Sequence, residues 1–162
     1  MATILRLTVM VALAVGFVGC ATAPISTLTT AIKPTRIEKV RTTAYTHDEG
    51  TGGRNALGRR LASAGIKSAA SDWSRYPLGT HFRIAGTHDE YMIDDYGGAL
   101  VGTNTIDLYQ PTKLEMRRWG VRRVDIEVLH WGSDGESLRV LRPRKGTSCA
   151  RRMIASLERK NM

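Results

Sequence analysis

Three aspartates with unlike neighbours are the residues of this chain best suited to chemistry. Asp72 stands in SAASDWSRYPLGT, Asp95 in IDDYGGALVG and Asp107 in NTIDLYQ. Ile106 and Leu108 flank Asp107, and Tyr109 follows it. A carboxylate in an apolar run costs free energy unless it is paired, hydrogen-bonded or kept protonated for a task. Carboxyl groups drawn together from separate segments are also what general acid–base work needs. Gly97 and Gly98 would let the backbone come close to a ligand, and Tyr45 and Tyr109 could orient or stack on it. Each position also has a structural reading. Asp107 could cap a turn, Asp95 could hold the Gly97–Gly98 turn through its side chain, and Asp72, before Trp73-Ser74, reads first as a turn or cap residue. Strand alternation sets Asp94 on the face opposite Asp95, towards solvent or supporting the turn. Metal chemistry has no support, because His47, His81, His88 and His130 are scattered without ligand spacing.

The elements that must position these groups are short strands between Gly-rich turns. Ile37 to Tyr45 reads as a strand with imperfect alternation, and Ile66 to Ala70, His81 to Ala85, Tyr91 to Asp94 and Thr105 to Tyr109 read as further strands. Asp48 to Gly58 reads as a loop. Thr112 and Glu115 form a capping box behind Pro111, with Gly120 placed as a C-cap, so one short helix is expected between them. Val124, Ile126 and Val128 alternate with Asp125 and Glu127 as in a half-buried strand. Gly132 to Gly135 reads as a turn, Ser137 to Leu141 as an added edge strand, and Ala150 to Leu157 as a short basic helix. Many short strands with one helix point to a small β-barrel.

Charge is segregated. Of a net +9, residues 139–162 hold +7, from eight basic side chains against Glu158, and Arg6 supplies one more. The middle of the chain is close to neutral, which argues against a nucleic-acid-binding face. The basic tail reads as a solvated or surface-hugging segment, with contact to anionic envelope groups as a second reading. At the other end, Arg6 precedes an apolar run from Leu7 to Val18 of signal-peptide length. Phe17-Val18-Gly19-Cys20 resembles a bacterial lipoprotein signal, in which Cys20 becomes the lipidated first residue and a membrane anchor. Residues 1–19 are then the signal, 20–36 a tether, 37–133 the domain and 134–162 a basic C-terminal extension. An export signal and an Ala21 after the lipidated cysteine imply the cell envelope, with the outer membrane favoured where one exists.

The run from Val40 to Trp131 resembles the 3D domain, named for three aspartates and found in bacterial cell-wall lytic transglycosylases. The matching pieces are TTAYT (42–46), AASDWSRYPLGTHFRI (69–84), MIDDYGGALVGTNTIDLYQ (92–110) and GVRRVDIEVL (120–129). The resemblance implies a six-stranded double-psi β-barrel that cleaves the MurNAc–GlcNAc β-1,4 bond of peptidoglycan glycan strands without water. The product is a 1,6-anhydro-muramyl end, and no cofactor is needed. Asp107 matches the catalytic acid of the family, Asp95 its second aspartate and Asp72 its third. Asp107 would protonate the departing oxygen and then take the proton of the muramyl C6 hydroxyl, which asks for a raised pKa there. Three departures stand out. Tyr96 and Leu100 vary the family pattern, the Asp95 to Asp107 segment is one residue longer, and the second, substrate-gripping domain of the larger enzymes leaves no trace. A non-catalytic peptidoglycan-binding barrel is the competing reading.

Overall fold

Alternation of side chains, interrupted at three places, builds the frame. The computed structural model describes residues 34–49, 52–160 and 162. The signal, Cys20 and nearly all of the tether lie outside the described residues. Six strands, β1 (Thr35–Tyr45), β2 (Ile66–Ala70), β3 (His81–Ile84), β4 (Glu90–Asp95), β5 (Thr105–Tyr109) and β6 (Arg122–His130), close a barrel in the order β1-β5-β2-β4-β3-β6. The contacts β1–β5 and β2–β4 are parallel and the other four antiparallel. The barrel matches the fold expected from the resemblance. Its interior is filled by the inward members of each strand, among them Val40, Ala69, Phe82, Ile93, Ile106, Leu108 and Ile126, all fully buried.

Two of the irregularities in the ladder decide what faces outward. Pairing of β1 with β6 jumps between Ile37 and Val40, and Lys39 there takes a left-handed φ of 53°. Asp125 holds this bulge by accepting from the Lys39 amide at 3.0 Å and from Arg36 at 2.6 Å. Past the bulge Val40 and Thr42 point inward, leaving Arg41, Thr43 and Tyr45 on the other face. That is the cause of the imperfect alternation in this strand. Pairing of β2 with β4 jumps likewise, from Ala69 opposite Ile93 to Ala70 opposite Asp95, so that Asp94 is the extra residue.

The helix α1 (Lys113–Trp119) forms where its capping box predicts. Thr112 accepts from the Glu115 amide, and Gly120 closes the helix at φ 62°. The short basic helix expected at Ala150 to Leu157 is present as α3 (Ser148–Lys160), while the barrel with one short helix is corrected by α2 (Asp134–Leu141), joined to α3 by a 3-10 turn. Ser137 to Leu141 is therefore part of a helix, not an edge strand. Ser133 caps α2 by accepting from the Glu136 amide, with Asp134 and Glu136 in the first turn. This Ser133-x-x-Glu136 signal began within the Gly132–Gly135 segment read only as a turn and ended just beyond it. Nor is the basic tail merely solvated. Leu138, Leu141, Ala150, Met153 and Leu157 join the core cluster, while the arginines and lysines occupy the outer faces. Gly132 lets this segment begin, since a Cβ there would lie 2.3 Å from the Leu78 carbonyl.

Candidate functional site

Ala70 is the centre of the site, because it is the register partner of Asp107 on β5 and of Asp95 on β4. The two aspartates thus stand on either side of one small residue, about 10 Å apart between Cα atoms at two interstrand spacings. Without the extra residue in β4, Asp94 would occupy that place instead. Ala70, Asp95 and Asp107 line one groove of about 340 Å³ with Tyr45, Gly97 and Gly98. It continues past His47 and Arg54 into a second cavity of about 410 Å³ beside Tyr109. The methyl of Ala70 forms the floor between the carboxyl groups and leaves room for a ligand there.

The two carboxyls are held differently. Thr43, the β1 partner of Asp107, donates its hydroxyl to Asp107 Oδ1. Asp95 accepts from the Tyr96 amide at 2.9 Å, and its own carbonyl receives the Trp73 indole at 2.8 Å. Burial pushes the Asp95 carboxyl up to about 6, with help from the charge of Asp94, against the opposing pull of the Tyr96 amide. Tyr45 stands in the same field. Burial first, then the nearby Asp95, Asp94 and Asp107, hold its hydroxyl far above the ordinary phenol range, so it stays protonated. That hydroxyl is buried and has no hydrogen-bond partner among the described residues. Its ring meets Tyr109 at 5.6 Å between centroids, and the Tyr109 hydroxyl lies 3.2 Å from His47 Nδ1.

Residues around the groove fix its walls. Asp94 accepts from Asn55 Nδ2 and Ser68 Oγ, both at 2.7 Å. Asn55 in turn accepts from the amides of Leu57 and Arg59, so Asp94 anchors the loop carrying Gly53, Arg54 and Leu61. It is half-buried and supports this loop, the second of the two roles expected for it, instead of facing solvent. Asp72 lies off the groove and is buried. It accepts from the amide and hydroxyl of Ser74 and, at 2.7 Å, from the Gly102 amide, tying the turn after β2 to the loop before β5. The C-terminal helices reach both rims. Arg144 donates to the Ala56 carbonyl at 2.6 Å and Arg152 to the Val101 carbonyl at 3.0 Å.

The structure therefore brings Asp95, Asp107, Tyr45, Gly97 and Gly98 together, sets Tyr109 at the adjoining cavity and leaves Asp72 behind the loops. His47, Arg54 and Ala70 are site residues that sequence reasoning missed. His47 and Arg54 fall in a loop without periodicity, and Ala70 acquires its position only through pairing with two strands. Among the described residues there is no group of three His, Cys, Asp or Glu side chains arranged to hold a metal.

Comparison with known proteins agrees with this arrangement. Residues 67–130 match the 3D domain family, a span that starts within β2, ends with β6 and contains all three aspartates. The cell wall-binding protein YocH of Bacillus subtilis (strain 168) is 38% identical over 93 residues, which are 56% of this chain and 32% of that protein. Over residues 67–130 the chain is thus similar to the 3D domain family, with Asp95 and Asp107 on the two sides of the groove.

Proposed function

We propose that this protein binds peptidoglycan glycan strands in the Asp95–Asp107 groove and cleaves the MurNAc–GlcNAc bond to a 1,6-anhydro end. The observation that carries the reading is the placement of both carboxyls about one small residue, in a cleft open to solvent. Asp107, oriented by Thr43, protonates the departing glycosidic oxygen and then removes the proton from the muramyl C6 hydroxyl as that oxygen attacks C1. Asp95, once ionised, stabilises the positive charge of the oxocarbenium-like transition state from the other side of the floor. Tyr45 lines the groove beside the sugar, and Gly97 and Gly98 keep that rim low. Asp72 acts by holding loops, without touching the strand. Export, anchoring through lipid on Cys20 and a location in the cell envelope belong to the same reading, as does contact of the basic C-terminal helices with anionic envelope groups.

The relative's name, a cell wall-binding protein, favours a second reading in which the barrel binds the wall without cutting it. One experiment separates the two. Purified sacculi are incubated with the protein, and sedimented protein and released soluble fragments are both measured. Release that disappears in Asp107→Asn, with sedimentation retained, supports cleavage. Sedimentation with no release by the wild type supports binding alone.

A further inference from the structure

The face that carries Asp107 extends beyond the groove. Parallel register sets Arg41 beside Thr105, Thr43 beside Asp107 and Tyr45 beside Tyr109, and side chains two residues apart on a strand share a face. Arg41 donates to Thr105 Oγ1 at 3.1 Å, in the row next to the Thr43–Asp107 bond. There a separate cavity of about 330 Å³ opens, lined by Arg41, Thr103, Asn104, Thr105 and Arg123. Arg123 is the direct cross-strand partner of Arg41 on β6.

Two like charges placed opposite one another destabilise a sheet. Three other cations of the barrel are neutralised, Arg36 by Asp125, Lys67 by Asp89 and Arg83 by Glu127. Among the described residues Arg41 and Arg123 have no such carboxylate. Arg123 donates instead to the Lys39 carbonyl at 3.3 Å. One nitrogen of each guanidinium is thereby engaged, out of a fork of five N–H donors suited to an oxyanion.

We propose that the Arg41–Arg123 pocket is a subsite for a carboxylate, the one borne by the peptide attached to a muramyl residue lying in the groove. The inference rests on the glycan reading above and adds to it the part of the substrate that is charged. Two residues of strand place the arginine row about 7 Å from Asp107, within reach of a substituent that leaves the sugar through a lactyl ether. An uncharged sugar then lies between the carboxyls while its anionic appendage turns away from them to the arginines. The binding face is thus polarised, and the like-charged pair is relieved when substrate arrives.

The test uses the full chain and sacculi from which hydrofluoric acid has removed attached phosphate polymers. One portion keeps its peptide carboxyls and another has them converted to methylamides. An uncharged N-acetylglucosamine oligomer serves as the third probe. Arg41→Gln/Arg123→Gln should bind the untreated-carboxyl sacculi about 10-fold or more weakly, as expected for lost charge-assisted hydrogen bonds. The wild type should fall to the same level on the methylamide sacculi, where the variant loses nothing further. Both proteins should bind the oligomer alike, and the variant should melt no lower than the wild type. Equal binding by the two proteins, or an equal loss on both sacculi, overturns the subsite. A loss seen only before the acid treatment assigns the pocket to phosphate and also overturns it. An oligomer that binds neither protein, with the arginine effect intact, counts against the glycan groove and leaves the arginines a carboxylate site.

Discussion

Asp95 is the group whose titration reports most directly on the site. Its carboxyl is raised to about 6 from an ordinary value of 3.8. An acid that is harder to ionise when folded stabilises the protein below about pH 4 and loses that contribution as pH rises through about 6. Asp95→Asn should therefore melt at a higher temperature than wild type at pH 7 and at nearly the same temperature at pH 4, read by calorimetry. In the proposed reaction the ionised form is the useful one. Cleavage should rise with pH through about 6 in the wild type, and Asp95→Asn should be slower and lack that limb. Asp94 answers to a different measurement. Asp94→Ala removes the acceptor shared by Asn55 and Ser68 and should cost about 1–3 kcal/mol in denaturant unfolding, with protection of the 53–61 amides from hydrogen exchange reduced.

At the scale of elements, the geometry comes from irregular pairing. The bulge at Asp94 chooses which of two consecutive aspartates stands beside Ala70, and the bulge at Lys39 turns Arg41, Thr43 and Tyr45 to the working face. Ala70→Val should fill part of the floor between the carboxyls and weaken glycan binding by about 10-fold, with unfolding cooperativity retained. Much of this frame was legible beforehand. The six segments read as strands between residues 37 and 128 became β1 to β6, Thr112 and Glu115 capped α1, and the three aspartate motifs pointed to the matched family. Bulges were not legible, because they depend on a partner strand distant in sequence. Alternation alone gave no reason for Asp95 to stand opposite Ala70, and no local signal distinguished Ala70 from Ala69. The missed helix α2 is a separate case. Its Ser133–Glu136 capping box was present but stood beside two glycines that read as a turn.

Across the whole molecule, the basic C-terminal segment is part of the fold that shapes the groove. Its charges made it look like a solvated tail, but Met153 and Leu157, fully buried, follow the spacing of a helix face set against the core. Met153→Ala should destabilise the protein by about 2–5 kcal/mol, measured by denaturant unfolding, whereas a free tail would leave stability unchanged. Arg144 and Arg152 link the same segment to the two loops that rim the groove. At Gly102 the approach is close enough that a Cβ would stand 2.8 Å from the Arg152 guanidinium, at a φ of +86°. The 3D domain match ends at residue 130, so these rim contacts come from outside the matched span. The near-neutral barrel thus carries the two carboxyls of the groove, and the positive charge gathers on the outer faces of the C-terminal helices.

The proposed cleavage is tested most directly by the mass of the fragments released from the wall. Sacculi digested with the wild-type protein should yield muropeptides one water lighter than hydrolysis products, with no new reducing ends, and none should appear with Asp107→Asn. Fragments of hydrolytic mass, or full release by Asp107→Asn, would contradict the assignment of the groove and of its acid.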